Sequence, residues 1–313
     1  MNQLVTVFTP LYNRKALLMR LYESLTKQTC FAFEWIICDD CSTDGSYELA
    51  KELAERENRF RIRVIRPERN GGKHRAINLG TAIAEGFLFF IVDSDDCLTP
   101  DAIERVFVWE KTIRNESGFA GIAFLKADLS GTPVGTTFNQ EYCDCTTLER
   151  PQYNITGDKA EVIYTEVIRR YPFPEFEGET FMSEGVMWDR IARDGLRFRW
   201  NNEIIYLCEY QPDGLSAHWA HHAARNPRGY AFLIRQKMDF THCTGYARFH
   251  MVYGYYYTVN LAEKRTMKYA CEQLGYPLWK AYCFMPIRKG LRILSKLGAL
   301  LRRPGSPDGT AAV

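Results

Sequence analysis

No run of about 18 consecutive apolar residues occurs in the 313-residue chain, so no membrane-spanning helix is predicted. The N-terminus, MNQLVTVFTP, lacks a basic start followed by an apolar core. The expectation is therefore no export signal and a reducing, cytoplasmic setting. Neither sign of charge dominates. Lys and Arg total 40, Asp and Glu 38, for a net charge of +2, which by itself argues neither for nor against nucleic acid. Ten cysteines are present, but no pair of C-x-x-C units. This excludes the usual structural zinc patterns, and the thiols read as small buried hydrophobes. Glycine is absent from TPLYNRKA, residues 9–16, where a phosphate-binding loop or a dinucleotide-binding turn requires it.

What is present is an ordinary globular composition, 46% hydrophobic and 25% charged. Its apolar runs alternate in period. Residues 4–14 read as a short strand ending near Pro10. Residues 15–28 place Leu17, Leu18, Leu21 and Leu25 at helical spacing. Residues 33–46 hold a second strand and an acidic turn, and Ser42 or Thr43 is a candidate cap for the helix that follows. Residues 60–68 alternate as a third strand, and residues 74–86 form a helix stopping at Gly86. FLFFIV, residues 87–92, is a fourth strand, apolar at every position, followed by a helix over 100–113. Strand and helix repeating in this way predict an α/β unit with a mostly parallel central sheet.

Such sheets bind ligands at the carboxyl ends of their strands, and the unusual residues fall there. They are Pro10 to Arg14, Asp39 and Asp40, Asn70 to Arg75, and Asp93 to Asp96. One acidic pair after a strand is commonly a turn or a helix cap. Four polar turns along one sheet edge are harder to explain so. Three carboxylates within four positions repel one another unless a cation or proton sits among them. Asp93-x-Asp95 projects two side chains the same way from an extended segment. Oxygen ligands of this kind suit Mg²⁺ or Mn²⁺ held together with substrate phosphates.

VTVFTPLYNR, FEWIICDDCSTDGS, NGGKHRAINLG and DSDDCLTPDAI, in this order and spacing, resemble family 2 glycosyltransferases of the GT-A fold. GDKAEVIYTEVIRRYPFPEFEGETFMSEGVMWDRIA (157–192) and EYQPDGLSAH (209–218) resemble a bacterial subgroup of capsule, exopolysaccharide or lipopolysaccharide assembly. The resemblance implies a nucleotide-diphospho-sugar transferase-like domain over 1–245 with a helical C-terminal extension. It also implies inverting, Mn²⁺- or Mg²⁺-dependent transfer of a hexosyl or N-acetylhexosaminyl group. The donor would be a UDP-sugar, and the acceptor a hydroxyl of a glycan or lipid-linked glycan. Pro10, Tyr12 and Arg14 would line the nucleotide pocket, with Tyr12 as a stacking face. Asp40 would accept a hydrogen bond from the uracil N–H. Lys73 and Arg75 offer cations for the diphosphate or sugar. Asp93 and Asp95 would contact the donor, Asp95 and Asp96 the metal. Glu184 stands where the family places its catalytic base, although this chain has Glu184-Gly185 where many relatives have Glu-Asp. His218, His221 and His222 are candidates to complete the metal site.

Beyond about residue 245 the chain turns aromatic and then basic. From Arg288 to Arg303 there are six Lys or Arg and no acid. Helical spacing puts Ile287, Leu291, Leu294, Leu297 and Leu301 on one side and the cations on the other. Such a helix can lie on an anionic membrane at the inner face of the cell membrane. The expected division is thus a catalytic domain over 1–245, an extension over 246–303, and a disordered tail over 304–313. No nucleic-acid partner is predicted. Two alternatives compete. A nucleotidyltransferase on a similar sheet lacks its glycine-rich signature here. A non-catalytic binding module would be favoured by loss of the acidic cluster or the base candidate, and both are present.

Overall fold

The computed structural model describes residues 4–209, 211, 214–215 and 218–288. Strands and helices alternate through β1 (Val5–Leu11), α1 (Lys15–Thr26), β2 (Phe33–Asp39), α2 (Ser46–Arg56), β3 (Arg61–Ile65), α3 (Lys73–Ile83) and β4 (Leu88–Ile91). Then come β5 (Cys97–Leu98), α4 (Ala102–Glu110), β6 (Phe119–Asp128), β7 (Tyr142–Cys145), β8 (Lys159–Tyr164), α5 (Thr165–Ile168), α6 (Gly185–Arg193) and β9 (Arg197–Cys208). Helices α7 (Trp219–Arg225), α8 (Pro227–Phe240), α9 (Gly245–Val259) and α10 (Met267–Leu274) follow, and residues 278–288 are helical.

One sheet runs through the molecule in the order β3-β2-β1-β4-β8-β6-β9-β5, with β7 added on β9. Strands β1 to β4 are mutually parallel, as the strand–helix alternation predicts. Beyond β4 the sheet is mixed. β8 runs antiparallel to β4 and β6, and β6 is parallel to β9. The apolar run at 87–92 is explained by burial on both faces of the sheet. Leu88, Phe90 and Val92 join one core with Leu18, Leu21 and Leu25 of α1 and Ile103 of α4. Phe89 joins the other with Ala76 and Ile77 of α3 and Val186 of α6. Each such buried side chain contributes about 1.5–3 kcal/mol. Gly80 lets α3 close on β1, since a Cβ there would lie 2.2 Å from the Phe8 ring.

A third core lies among the C-terminal helices, from Ala231 and Met238 of α8 through Phe249, Val252 and Tyr255 of α9 to Ala270 and Leu274 of α10. α8 also packs on α6, with Leu233 in the second core. The helical layer is therefore continuous with the sheet domain. Among the described residues no helix is long and apolar enough to cross a membrane. All ten cysteines are free thiols. The basic amphipathic segment at 287–303 lies, apart from its first two residues, outside the described residues.

Candidate active site

The ends of β1, β2 and β4 and the start of α3 meet at one sheet edge, where side chains lace the turns together. The Ser42 hydroxyl accepts the Asn13 N–H at 2.9 Å, and Asn13 Oδ1 accepts the Thr43 N–H at 2.8 Å. Neither Ser42 nor Thr43 caps α2 as expected. Asp44 does that work, accepting the Ser46 N–H at 2.9 Å and reaching back to the Lys15 N–H at 3.0 Å. Tyr12 remains half exposed at this edge, beside Pro10. Asp39 is fully buried, with Oδ2 accepting the Ser42 N–H at 3.1 Å and Oδ1 unpartnered. Asp40 accepts the Gly71 and Gly72 N–H groups, one on each oxygen, both at 2.7 Å. Burial pushes its carboxyl above the usual range despite those two donors.

The acidic turn is held from below by a strand distant in sequence. Tyr206 of β9 accepts the Asp93 N–H at 3.0 Å and donates to Asp96 Oδ2 at 2.7 Å. Asp96 Oδ1 takes the Glu209 N–H at 3.2 Å. Lys126 of β6 sits 4.3 Å from the Tyr206 ring centroid and pairs with Asp158 at 2.8 Å. Burial, with the neighbouring Asp93 charge, pushes Asp96 up to about 7 and raises Asp95 too. Asp95 has Arg14 at 3.9 Å, and Arg20 donates to its carbonyl while pairing with Glu209 at 2.9 Å.

Lys73, at the first position of α3, closes the site. Its Nζ lies 2.7 Å from Asp93 Oδ1 and 2.7 Å from Glu184 Oε1. Burial alone would lower the ammonium, but the two carboxylates raise it well above its ordinary value. In return Lys73 and Lys126 overcome the burial of Asp93 and hold its carboxyl below the usual range. The Glu184 side chain makes no cap to α6; it turns to Lys73 instead.

The structure thus gathers Lys73, Asp93 and Glu184 in direct contact, with Arg14 and Asp95 beside them. Arg75 faces elsewhere: its guanidinium holds Glu175 at 3.1 Å and the Phe176 carbonyl at 2.7 Å. Asp158 pairs with Lys126, while Lys159 donates to the Val134 and Thr156 carbonyls at 3.2 and 2.6 Å. His222 packs its ring 5.4 Å from Phe181. Among the described residues no three His, Cys, Asp or Glu side chains cluster to hold a metal unaided. The donor set still fits a hard cation. Asp95 offers carboxylate oxygens at 21% exposure, and such ions are commonly completed by substrate phosphates and water. Both Asp96 oxygens already accept protein hydrogen bonds, which leaves only their second lone pairs. Sequence reasoning missed Tyr206, Lys126 and Glu161. Glu161 lies on the β8 face that also carries Ile163, and burial, with the Asp158 charge, pushes it up to about 7.

This mixed sheet with its helical flanks is the GT-A fold. A crystal structure of Staphylococcus aureus TarS 1-349 in complex with UDP-GlcNAc is 17% identical, with a TM-score of 0.56 over 91% of this chain and 92% of that one. The mannosyltransferase PcManGT from Pyrobaculum calidifontis, in complex with GDP-Man and Mn²⁺, is also 17% identical, with a TM-score of 0.52 over 92% and 80%. Residues 6–115 match the family model of glycosyl transferase family 2. The chain is 37% identical over 107 residues to glycosyltransferase GlyG of Streptococcus pneumoniae, covering 34% of this chain and 35% of GlyG. It is 36% identical over 113 residues to chondroitin synthase of Pasteurella multocida, covering 35% and 11%. The chain therefore spans about a third of GlyG and a tenth of the synthase in these matches.

Proposed function

We propose that this chain is an inverting glycosyltransferase of bacterial surface-polysaccharide assembly. It moves a hexosyl or N-acetylhexosaminyl group from a UDP-sugar to a hydroxyl of a glycan or lipid-linked glycan. The observation that carries this reading is the contact of Lys73 with both Asp93 and Glu184. It sets a candidate base beside the acidic turn, with a cation between them.

In this reading Tyr12 stacks on the base, Asp40 and Pro10 shape the nucleotide pocket, and Arg14 and Lys73 supply positive charge near the donor, the Arg75 guanidinium being engaged by Glu175 and the Phe176 carbonyl. Glu184 takes the proton of the acceptor hydroxyl as its oxygen attacks the anomeric carbon. The bond from that carbon to the phosphate oxygen breaks, and UDP leaves with the electron pair. Lys73 and Arg14 stabilise charge on the departing diphosphate. Asp95, with the free lone pairs of Asp96, would hold Mn²⁺ or Mg²⁺, whose contribution is Lewis-acid neutralisation of the diphosphate. UDP-GlcNAc in TarS and Mn²⁺ with GDP-Man in PcManGT support a sugar nucleotide and a divalent ion as the ligands to test first.

The same reading places the protein at the inner face of the cell membrane. The helix at 278–288 is apolar on two sides. Ala281, Phe284 and Met285 face the third core. Trp279, Tyr282 and Ile287 are 65%, 57% and 50% exposed, and the basic run 288–303 follows in sequence. Amphipathic aromatic residues beside cations suit an anionic headgroup layer.

The test is a panel of sugar nucleotides assayed with Mn²⁺ for UDP release, with and without glycan acceptors. Turnover with a UDP-sugar, and weakened UDP binding in Asp95→Ala, are expected. UDP binding without turnover on any donor would favour a non-catalytic binding module instead.

A further inference from the structure

The segment that carries Glu184 leaves α5 and crosses the face of α8 before entering α6. Its contacts there are reciprocal. Glu179 is buried, and its carboxylate accepts the Arg228 N–H on Oε1 and the Gly229 N–H on Oε2, both at 2.8 Å. These are donors of the first turn of α8, which the helix itself leaves unpaired. In the opposite direction, Asn226, buried just ahead of α8, accepts the Thr180 N–H at 2.7 Å and the Phe181 N–H at 3.1 Å on Oδ1. Its amide donates to the His222 carbonyl at 2.8 Å, which fixes the orientation of the side chain. Gln236, one face further along α8, donates to the Val186 carbonyl at 3.1 Å.

The other side of the same peptide meets the donor loop. Gly72 has φ +85°, and a Cβ there would lie 1.7 Å from the Thr180 carbonyl oxygen. Thr180 is therefore pinned between α8 and the glycine turn that precedes Lys73. Four residues later Glu184 meets Lys73. The chain path from Asn226 to Thr180 to Glu184 to Lys73 to Gly72 and back to Thr180 is a closed ring of contacts.

We infer that Glu179 and Asn226 are positioning residues that set where the Glu184 carboxylate stands relative to the donor loop. The C-terminal helices are thereby part of the catalytic apparatus. Neither side chain touches substrate; both act through the backbone of 180–184. The inference rests on the proposed transferase reading. A base displaced by about 1 Å can cost about a hundredfold in rate, whereas the nucleotide pocket at the ends of β1 and β2 shares none of these hydrogen bonds.

The experiment compares full-length wild type with Asn226→Ala, Asn226→Asp and Glu179→Gln. Turnover of the best sugar nucleotide, UDP dissociation constant and amide exchange over residues 177–186 are measured in each. Asn226→Ala should lose about tenfold to a hundredfold in kcat, with UDP affinity within about twofold and faster exchange in that segment. Asn226→Asp keeps the oxygen that accepts both N–H groups and should restore most of kcat. Glu179→Gln should fall between them. Wild-type kcat in Asn226→Ala, equal losses in kcat and UDP affinity, or unchanged exchange over 177–186 would each overturn the inference. Absence of turnover in wild type on every donor would instead defeat the transferase reading, and the exchange measurement would still decide whether the clamp exists.

Discussion

Replacing Lys73 by Met removes the only ion-pair partner of the Glu184 carboxylate among the described residues and the closest cation to Asp93. Breaking a fully buried ion pair from one side costs about 3–5 kcal/mol, because the remaining charge is left uncompensated. Here the side chains of Lys73, Asp93 and Glu184 keep 22%, 31% and 34% of their exposure, so water recovers part of that loss. The retained methylene packing of Met offsets a little more. About 2 kcal/mol remains. Lys73 sits well above its ordinary pKa, so its contribution is fully present at neutral pH and is lost only as pH rises past the unfolded value into the alkaline range. The assay is urea denaturation at pH 7.5, read as the change in midpoint at constant slope. The triple variant Lys73→Met, Asp93→Asn, Glu184→Gln removes both orphaned charges and should recover most of the loss. A Lys73→Met variant as stable as wild type, or a triple variant no better than the single one, would refute the claim that Lys73 compensates the two carboxylates.

Two further outcomes follow from the same structure. His74, in the first turn of α3, is buried with an Nδ1 that has no hydrogen-bond partner among the described residues, and burial depresses it to about 4. The unfolded chain then binds more protons than the native one between about pH 4 and 6.5. His74 therefore costs stability as pH falls through that window, by about 3 kcal/mol at full effect. Glu161, raised to about 7, acts in the opposite sense, its contribution being lost as pH rises from about 4.5 through 7. Chemical denaturation of His74→Gln across pH 4.5–7 should thus lose the rising component and leave a falling one; an unaltered pH profile would contradict the buried neutral imidazole. At the other end of the molecule, Trp279→Ala with Tyr282→Ala in the full chain should weaken co-sedimentation with phosphatidylglycerol vesicles by about tenfold, since burying even one large side chain is worth about 1.5–3 kcal/mol. Equal sedimentation of variant and wild type would remove the membrane reading of that helix.

Much of the site-bearing half of the fold can be read from the residues in order. Local periodicity determines β1 to β4 and their helices; β1 and β2 each pair with the next strand in the chain through one short crossover, and α3 then carries the chain back to set β4 on the other side of β1. The apolar character of residues 87–92 reflects two buried faces, and the carboxylates beyond it mark a strand exit. The third strand stops at Ile65 rather than running to residue 68 because Pro67 cannot donate to a ladder. The other half is less legible. β6, β8 and β9 are joined by long connections and pair in a mixed order that no local pattern specifies. Tyr206 meets Asp96 across 110 positions and Glu179 meets Gly229 across 50. The surroundings of Glu184 in sequence mark it only as a base candidate. The residues that hold its segment carry no such mark, since Asn226 looks in sequence like an ordinary residue before a helix proline.

The most direct measurement is turnover and UDP binding in Glu184→Gln, which keeps the shape of the side chain and removes the base. UDP-sugar transfer should fall by at least about a hundredfold, while UDP binds as tightly as to wild type or more tightly. Transfer at the wild-type rate in this variant would show that the carboxylate facing Lys73 does not take the acceptor's proton.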